Sequence, residues 1–208
     1  MAKKTWIYAK SVPKKLYVAC SGGVDSVAAA AILSEWRDVT LAHFSHWDHA
    51  SEQELETVSA LAHKLNLPLV AGYQESQSKG NAEANWRAAR YTWFHSLDAP
   101  VATGHTLTDA VEWYLMTCLR GRGEFMPVQN KNVFRPFLFT NKTELVEYAQ
   151  AKGLEWWDDP TNNDPDFALR NRIRSQLLPQ ATSCEPGLVN MVRRRIVEKT
   201  KKEVEITS

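Results

Sequence analysis

With 208 residues, 44% of them hydrophobic, the chain can bury one good core with a small appendage, and two full domains would be cramped. Its 25 basic and 24 acidic residues leave a formal net charge of +1, so bulk charge does not announce a nucleic-acid binder. Cys20, Cys118 and Cys184 are too scattered for a disulfide framework or zinc spacing, and no uncharged run is long enough for a bilayer span or a signal-peptide core, so a soluble cytoplasmic protein with no membrane contact is expected.

The first apolar run, residues 16–20, predicts a strand, and the alanine-rich residues 27–33 predict a helix. Between them lies Ser21-Gly22-Gly23-Val24-Asp25-Ser26. A strand-to-helix turn of this composition is suited to phosphate, because its glycines let the backbone approach an anion and the following helix points its positive end there. Asp25 or Ser26 as a simple helix cap is the alternative, but one such residue would suffice for capping. Residues 39–44 predict a second strand, ending in a loop with His43, His46 and His49. That loop lacks metal-ligand spacing and reads better as facing a ligand.

Ser51 and Glu54 form a capping-box pattern ahead of Leu55, Val58, Leu61, Ala62 and Leu65 at helical spacing. A third strand is expected over residues 67–73, then a polar loop through Ser78, Lys79 and Gly80 and a helix over about residues 81–95. Arg87, Arg90 and Tyr91 share one face of that helix, a grouping suited to a phosphate or a stacked base, or simply to solvent. Residues 100–103 predict a fourth strand, leading through Gly104 and His105 into a helix that carries Asp109 and Glu112 on one face of its first turn. Acids there also suit the helix dipole. Following a strand end, both motifs should sit on the ligand-binding edge of a parallel sheet.

Residues 133–139 predict a fifth strand, placed at an edge because Pro136 interrupts it. A helix over residues 141–152 stops at Gly153, and the remainder reads as helical around a polar loop at residues 158–165. The expectation is α/β: a five-stranded parallel sheet with helices on both faces over residues 1–140, and a helical extension over residues 141–208. Basic clusters mark both ends, Lys3, Lys4, Lys10, Lys14 and Lys15 at the start and Arg193, Arg194, Arg195, Lys199, Lys201 and Lys202 at the finish.

Several segments together resemble a known family. Residues 21–26 are similar to the PP-loop of the N-type ATP pyrophosphatases, and they lack the lysine of a Walker loop. Gly104-His105 with Asp109 and Glu112, then Leu119-Arg120-Gly121, resemble the bacterial tRNA(Ile)-lysidine synthetases within that superfamily. So do Asp159-Pro160-Thr161-Asn162, Arg170-Asn171-Arg172-Ile173-Arg174 and Leu177-Leu178-Pro179, while Arg87, Arg90 and Tyr91 fall where that family carries Arg-x-x-Arg-Tyr. Thr108 stands where the family usually has the first of two adjacent acids, Thr106 where a second histidine is common, and the His43 loop lacks the usual Gly-Leu-Arg ending.

The resemblance implies ATP and Mg2+ as cofactors, with adenylation of the wobble cytidine C2 oxygen in an isoleucine tRNA bearing a CAU anticodon, then attack by free L-lysine. It assigns ATP to Ser21, Gly22, Gly23, Val24, Asp25, Ser26, His43 and Gly104, and metal to Asp25 and Asp109. Catalysis falls to Asp25, Asp109, Glu112 and His105, and substrate or tRNA contact to Arg87, Arg90, Tyr91, Arg120, Arg170, Asn171, Arg172 and Arg174. A PP-loop tRNA thiolase and a non-catalytic tRNA-binding relative stay open as alternatives, as does the choice between monomer and homodimer.

Overall fold

The structure, a computed structural model, describes residues 12–46, 50–74, 82–160, 164 and 168–207. His49, the loop at Ser78, Lys79 and Gly80, the lysines at 3, 4 and 10, and Thr161 and Asn162 lie outside the described residues, as do the side chains of Ser51, Lys201 and Lys202.

Six strands make one sheet: β1 (Lys15–Ala19), β2 (Asp38–Ser45), β3 (Leu69–Tyr73), β4 (Val101–Thr103), β5 (Gln129–Asn130) and β6 (Val133–Phe134), in the order β3-β2-β1-β4-β6-β5. All neighbours run parallel except β5 and β6, which pair antiparallel. The sheet therefore has one strand more than expected and is not wholly parallel. Two polar residues show no alternation, so β5 is invisible in the sequence. The predicted strand over residues 133–139 also shortens to β6 and lies inside the sheet, with β5 covering it. Pro136 cannot donate a ladder hydrogen bond, and here that ends the strand in a turn, where Leu138 and Thr140 amides donate to the Arg135 and Phe137 carbonyls.

Helix α1 (Val24–Ser34) is buried on nearly every side, as its uninterrupted apolar run requires. One flank lies on Leu16, Val18, Val39 and Leu41 of the sheet, and the other is covered by α5 (Lys142–Ala151) through Leu145 and Ala149, with α2 (Ala50–Leu65) adding Val58 and Leu61. Residues Ala28, Ala29, Ala30 and Ala31 lie in this core; short side chains let the sheet and α5 approach α1 from opposite sides. On the opposite sheet face, α3 (Ala82–Ser96) packs Phe94 against Val101 and Val133, with Tyr17 and Ala19 alongside. Alternate β1 residues thus serve opposite faces.

Helix α4 (Leu107–Leu119) is covered by α8 (Leu188–Thr207), where Leu188, Val192 and Ile196 at i, i+4 spacing meet Leu107, Ala110 and Val111. Between them run α6 (Leu169–Arg172), a π-helical turn (Ile173–Leu177) and α7 (Leu178–Cys184). Among the described residues, no helix is long and apolar enough to cross a membrane.

Candidate active site

The chain passes from β1 to β2 and β3 on one side and resumes with β4 on the other, so the sheet's switch point lies between β1 and β4. In open α/β sheets a ligand crevice forms outside the strand ends at such a point. Here it is bounded by residues 20–23 after β1 and residues 104–106 after β4. A cleft of about 620 Å³ opens there, lined by Ser21, Gly23, Asp25 and Ser26 on one side and Gly104, His105 and Asp109 on the other.

The turn at residues 21–26 is braced from within. Gly22 takes φ +84°, a left-handed conformation in which glycine avoids Cβ strain, and its carbonyl accepts from the Trp157 amide at 3.0 Å. Ser26 Oγ donates to the Gly23 carbonyl at 2.9 Å, and the Ser21 amide donates to Ser26 Oγ at 3.2 Å. Gly23 is the N-cap and supplies no side-chain cap, which leaves the start of α1 facing the cleft. Neither Asp25 nor Ser26 is a cap. Asp25 instead meets Lys142, Nζ to Oδ2 at 3.1 Å, while its buried Oδ1 has no hydrogen-bond partner. Burial pushes the Asp25 carboxyl up, against the pull of Lys142.

Asp109 divides its two oxygens. Oδ2 accepts from the Thr106 amide at 2.7 Å and from the Thr106 hydroxyl at 2.8 Å, capping α4, and Oδ1 faces the Arg170 guanidinium. Glu112, 1% exposed, receives Arg170 Nε at 2.9 Å on Oε2 and Arg174 Nε at 2.6 Å on Oε1, with Arg174 Nη2 at 3.0 Å from Oε2. Arg170 and Arg174 are four apart across the α6 to π-helical junction, so both reach the same pair of acids. Both point into the site, toward Asp109 and Glu112.

Burial favours the neutral Asp109 carboxyl, but Arg170, His105 and the Thr106 bonds prevail and hold it at about 2. His105, bonded through Nδ1 to Thr103 Oγ1 at 2.7 Å, is pushed down to about 3 by burial, with Asp109 opposing and Arg135, Arg170 and Arg90 adding to the fall. An imidazole so placed is neutral at pH 7 and a weak proton acceptor.

This has a consequence for stability. Below its ordinary value of 6.5 the unfolded histidine takes up a proton that the folded one refuses down to about 3, so stability falls as pH drops through that window. Asp109 has the depressed-carboxylate pattern, its contribution present above 3.8 and lost toward about 2. Thermal melts from pH 7 to pH 4 should therefore decline less steeply for His105→Gln than for wild type; parallel curves would refute the assignment.

Residues 2–181 match the family described as PP-loop domain. The chain belongs to the PP-loop family. It is 35% identical over 191 residues to the tRNA(Ile)-lysidine synthase of Solibacter usitatus, covering 84% of this chain and 43% of that protein. A 36% identical relative of the same name from Symbiobacterium thermophilum is matched over 81% of this chain and 40% of its own length. The chain thus spans about two fifths of the length of these curated relatives. The fold is shared with NMN synthetase from Francisella tularensis, at TM-score 0.53 and 16% identity over 90% of this chain and 87% of that one. NH3-dependent NAD synthetase from Campylobacter jejuni is also alike, at TM-score 0.51 and 16% identity over 94% and 90%.

Within this PP-loop chain the remaining sequence candidates divide. Arg90 and Tyr91 line the cleft, whereas Arg87 lies over the rings of Tyr91 and Trp113 at 4.9 and 5.6 Å and is not among the lining residues. His43 is fully buried behind the PP-loop, its Nδ1 3.0 Å from the Cys20 carbonyl; its strand neighbours Ala42 and Phe44 line the cleft instead. Asn171 is buried with Nδ2 donating to the Asp164 carbonyl, Arg172 is exposed, and Arg120 is an exposed C-cap of α4 outside the lining. Sequence reading missed Lys142, Glu54 and Trp157 on the cleft wall, and Arg135, 3% exposed, whose Nη2 donates to the Tyr91 hydroxyl at 3.0 Å. The one available signal for Lys142 was a cation at a helix start, against the dipole.

Proposed function

We propose that this chain uses ATP to adenylate the C2 oxygen of the wobble cytidine in an isoleucine tRNA with a CAU anticodon, then joins free lysine to that carbon, releasing AMP and pyrophosphate. The observation that carries the reading is the meeting, in one cleft, of the PP-loop turn with Asp109, Arg170 and Arg174, behind which Glu112 lies buried against both arginines. The names of the curated relatives support the substrate class.

In the first step the cytidine oxygen attacks the α phosphate, and the leaving pyrophosphate requires positive surroundings. The amides of residues 21–26 and the start of α1 suit that charge. Among the described residues no group of three or more His, Cys, Asp or Glu is gathered for a metal, but magnesium needs only one or two carboxylates beside water and phosphate. Asp25, with its unpartnered buried Oδ1, fits such an ion, and Asp109 would be a second ligand only by giving up its bond to Arg170. Magnesium, when bound, would neutralise the phosphate oxygens.

In the second step the lysine ε-amine displaces AMP. Its ammonium, with a pKa of about 10.4, must lose a proton, a cost of about 4.6 kcal/mol at pH 7. Free lysine also brings an α-carboxylate and an α-ammonium. Two arginines interlaced with two carboxylates suit such a molecule: Arg170 and Arg174 can turn to its carboxylate, leaving Glu112 and Asp109 to receive ammonium groups. His105, held at about 3, is assigned to positioning, and Glu112 is assigned to the ε-ammonium by charge, once Arg170 and Arg174 turn to the substrate carboxylate. Arg90 and Tyr91 are assigned to base or phosphate.

The deciding experiment supplies ATP, lysine and the CAU isoleucine transcript and measures AMP and pyrophosphate, with mass spectrometry of the tRNA. Lysine-dependent AMP and a lysine-sized mass gain are expected; sulfur incorporation would point to a thiolase. The cysteines disfavour the latter: Cys118 and Cys184 do not line the cleft, and Cys20, which does, is a single buried thiol whose pKa burial pushes up.

Residues 1–140 are assigned to the nucleotide and residues 141–208 mainly to tRNA. Deleting residues 191–208 would remove core residues Val192 and Ile196, so the basic tail is better tested by substitution. Among the described residues, Arg194 and Arg195 pair with Glu198 on the surface, at 3.8 and 3.1 Å. Changing Arg194, Arg195 and Lys199 to glutamine should weaken tRNA binding and lower its salt slope by about 2. An unchanged slope would make these residues solvated surface.

A further inference from the structure

Lys142 occupies the first position of α5, directly after the N-cap Asn141. A cation at the positive end of a helix is unfavourable, so its presence there needs another cause. Its Nζ is 3.1 Å from Asp25 Oδ2, and it lines the same cleft as Ser21, Gly23 and Ser26. The backbone that carries it is fixed from both sides. The Leu107 amide of α4 donates to the Thr140 carbonyl at 2.9 Å, and Leu145 and Ala149, fully buried, hold α5 on α1. The side chain itself is 41% exposed, and a pair so wetted contributes little to stability. The PP-loop turn has no cation of its own; of the other basic residues that line the cleft, Arg170 and Arg174 are turned toward Asp109 and Glu112, and Arg90 comes from α3, whereas Lys142 is the one paired with a PP-loop residue.

We propose that Lys142 is the phosphate-binding cation of this site. Without nucleotide its ammonium rests on Asp25; with ATP it moves to the pyrophosphate oxygens, neutralising the leaving group and releasing Asp25 for the divalent cation. The proposal rests on the reading of the cleft as an ATP site and adds to it a residue supplied by a different helix from the PP-loop. A long, flexible stem with a point charge suits such a transfer better than a fixed guanidinium fork.

Calorimetric titration of the intact chain with α,β-methylene-ATP and with AMP, in magnesium buffer, tests it. Lys142→Met should bind the triphosphate analogue about tenfold more weakly, the loss of one charge-assisted contact, and AMP as wild type does. Lys142→Arg should recover most of the lost affinity. Analogue affinity equal to wild type in Lys142→Met would overturn the proposal, as would an equal loss for AMP and analogue, which would mark a structural role. Wild-type protein that binds neither nucleotide would overturn the ATP reading as well, so the two failures are distinguishable.

Discussion

Glu112→Gln should abolish lysine-dependent AMP release, by about 100-fold or more, and lower stability by about 2 to 3 kcal/mol. The substitution keeps the shape of a side chain that is 1% exposed but removes the charge that Arg170 and Arg174 share. Removing one partner of a fully buried pair costs about 3 to 5 kcal/mol. The lower figure applies here because the arginines are 33% and 34% exposed and can regain water. Urea unfolding gives the stability, and AMP release measured below the transition gives the chemistry. Arg170 lies in α6 and Arg174 in the π-helical turn that follows it, so the variant should also loosen that stretch, visible as faster proteolysis within residues 169–177. Near-normal turnover in folded Glu112→Gln would remove Glu112 from the mechanism.

Gly104→Ala should cost at least about tenfold in nucleotide affinity although it adds one methyl group. A Cβ at that position would lie 2.7 Å from the Asp25 carbonyl oxygen, 2.8 Å from its carbon and 3.0 Å from the Ser26 amide. These are backbone atoms of the PP-loop, so no side-chain rotation relieves the contact. Either the turn at residues 21–26 or the start of α4 must move, and the cradle is lost. An overpacked core costs about 1 to 3 kcal/mol, so the folded state should survive with a lower melting temperature. Calorimetry with α,β-methylene-ATP checks the outcome; unchanged affinity would show that the two loops are not required in contact.

Much of the architecture is legible from short-range pattern. Residues 16–20 and 27–33 announce a strand and a buried helix with the turn between them, and Asn141 with Glu144 marks the start of α5. Hidden were the features whose cause lies elsewhere in the chain. The strand β5 exists because the segment before it folds back on β6, and β6 stops where proline removes a donor. Arg135 reads as one more charged residue beside Pro136, yet it is buried under Tyr91.

The sequence by itself determined the α/β class, the phosphate-suited turn and the acids that follow β4, because each depends on residues within a turn or two of one another. Tertiary structure alone decided how those pieces act. Arg170 stands 58 residues from Glu112, and Lys142 comes to Asp25 from a separate helix. Whether an arginine faces solvent or a buried carboxylate depends on which helices pack together, and that is settled by long-range burial of apolar faces, not by local preference.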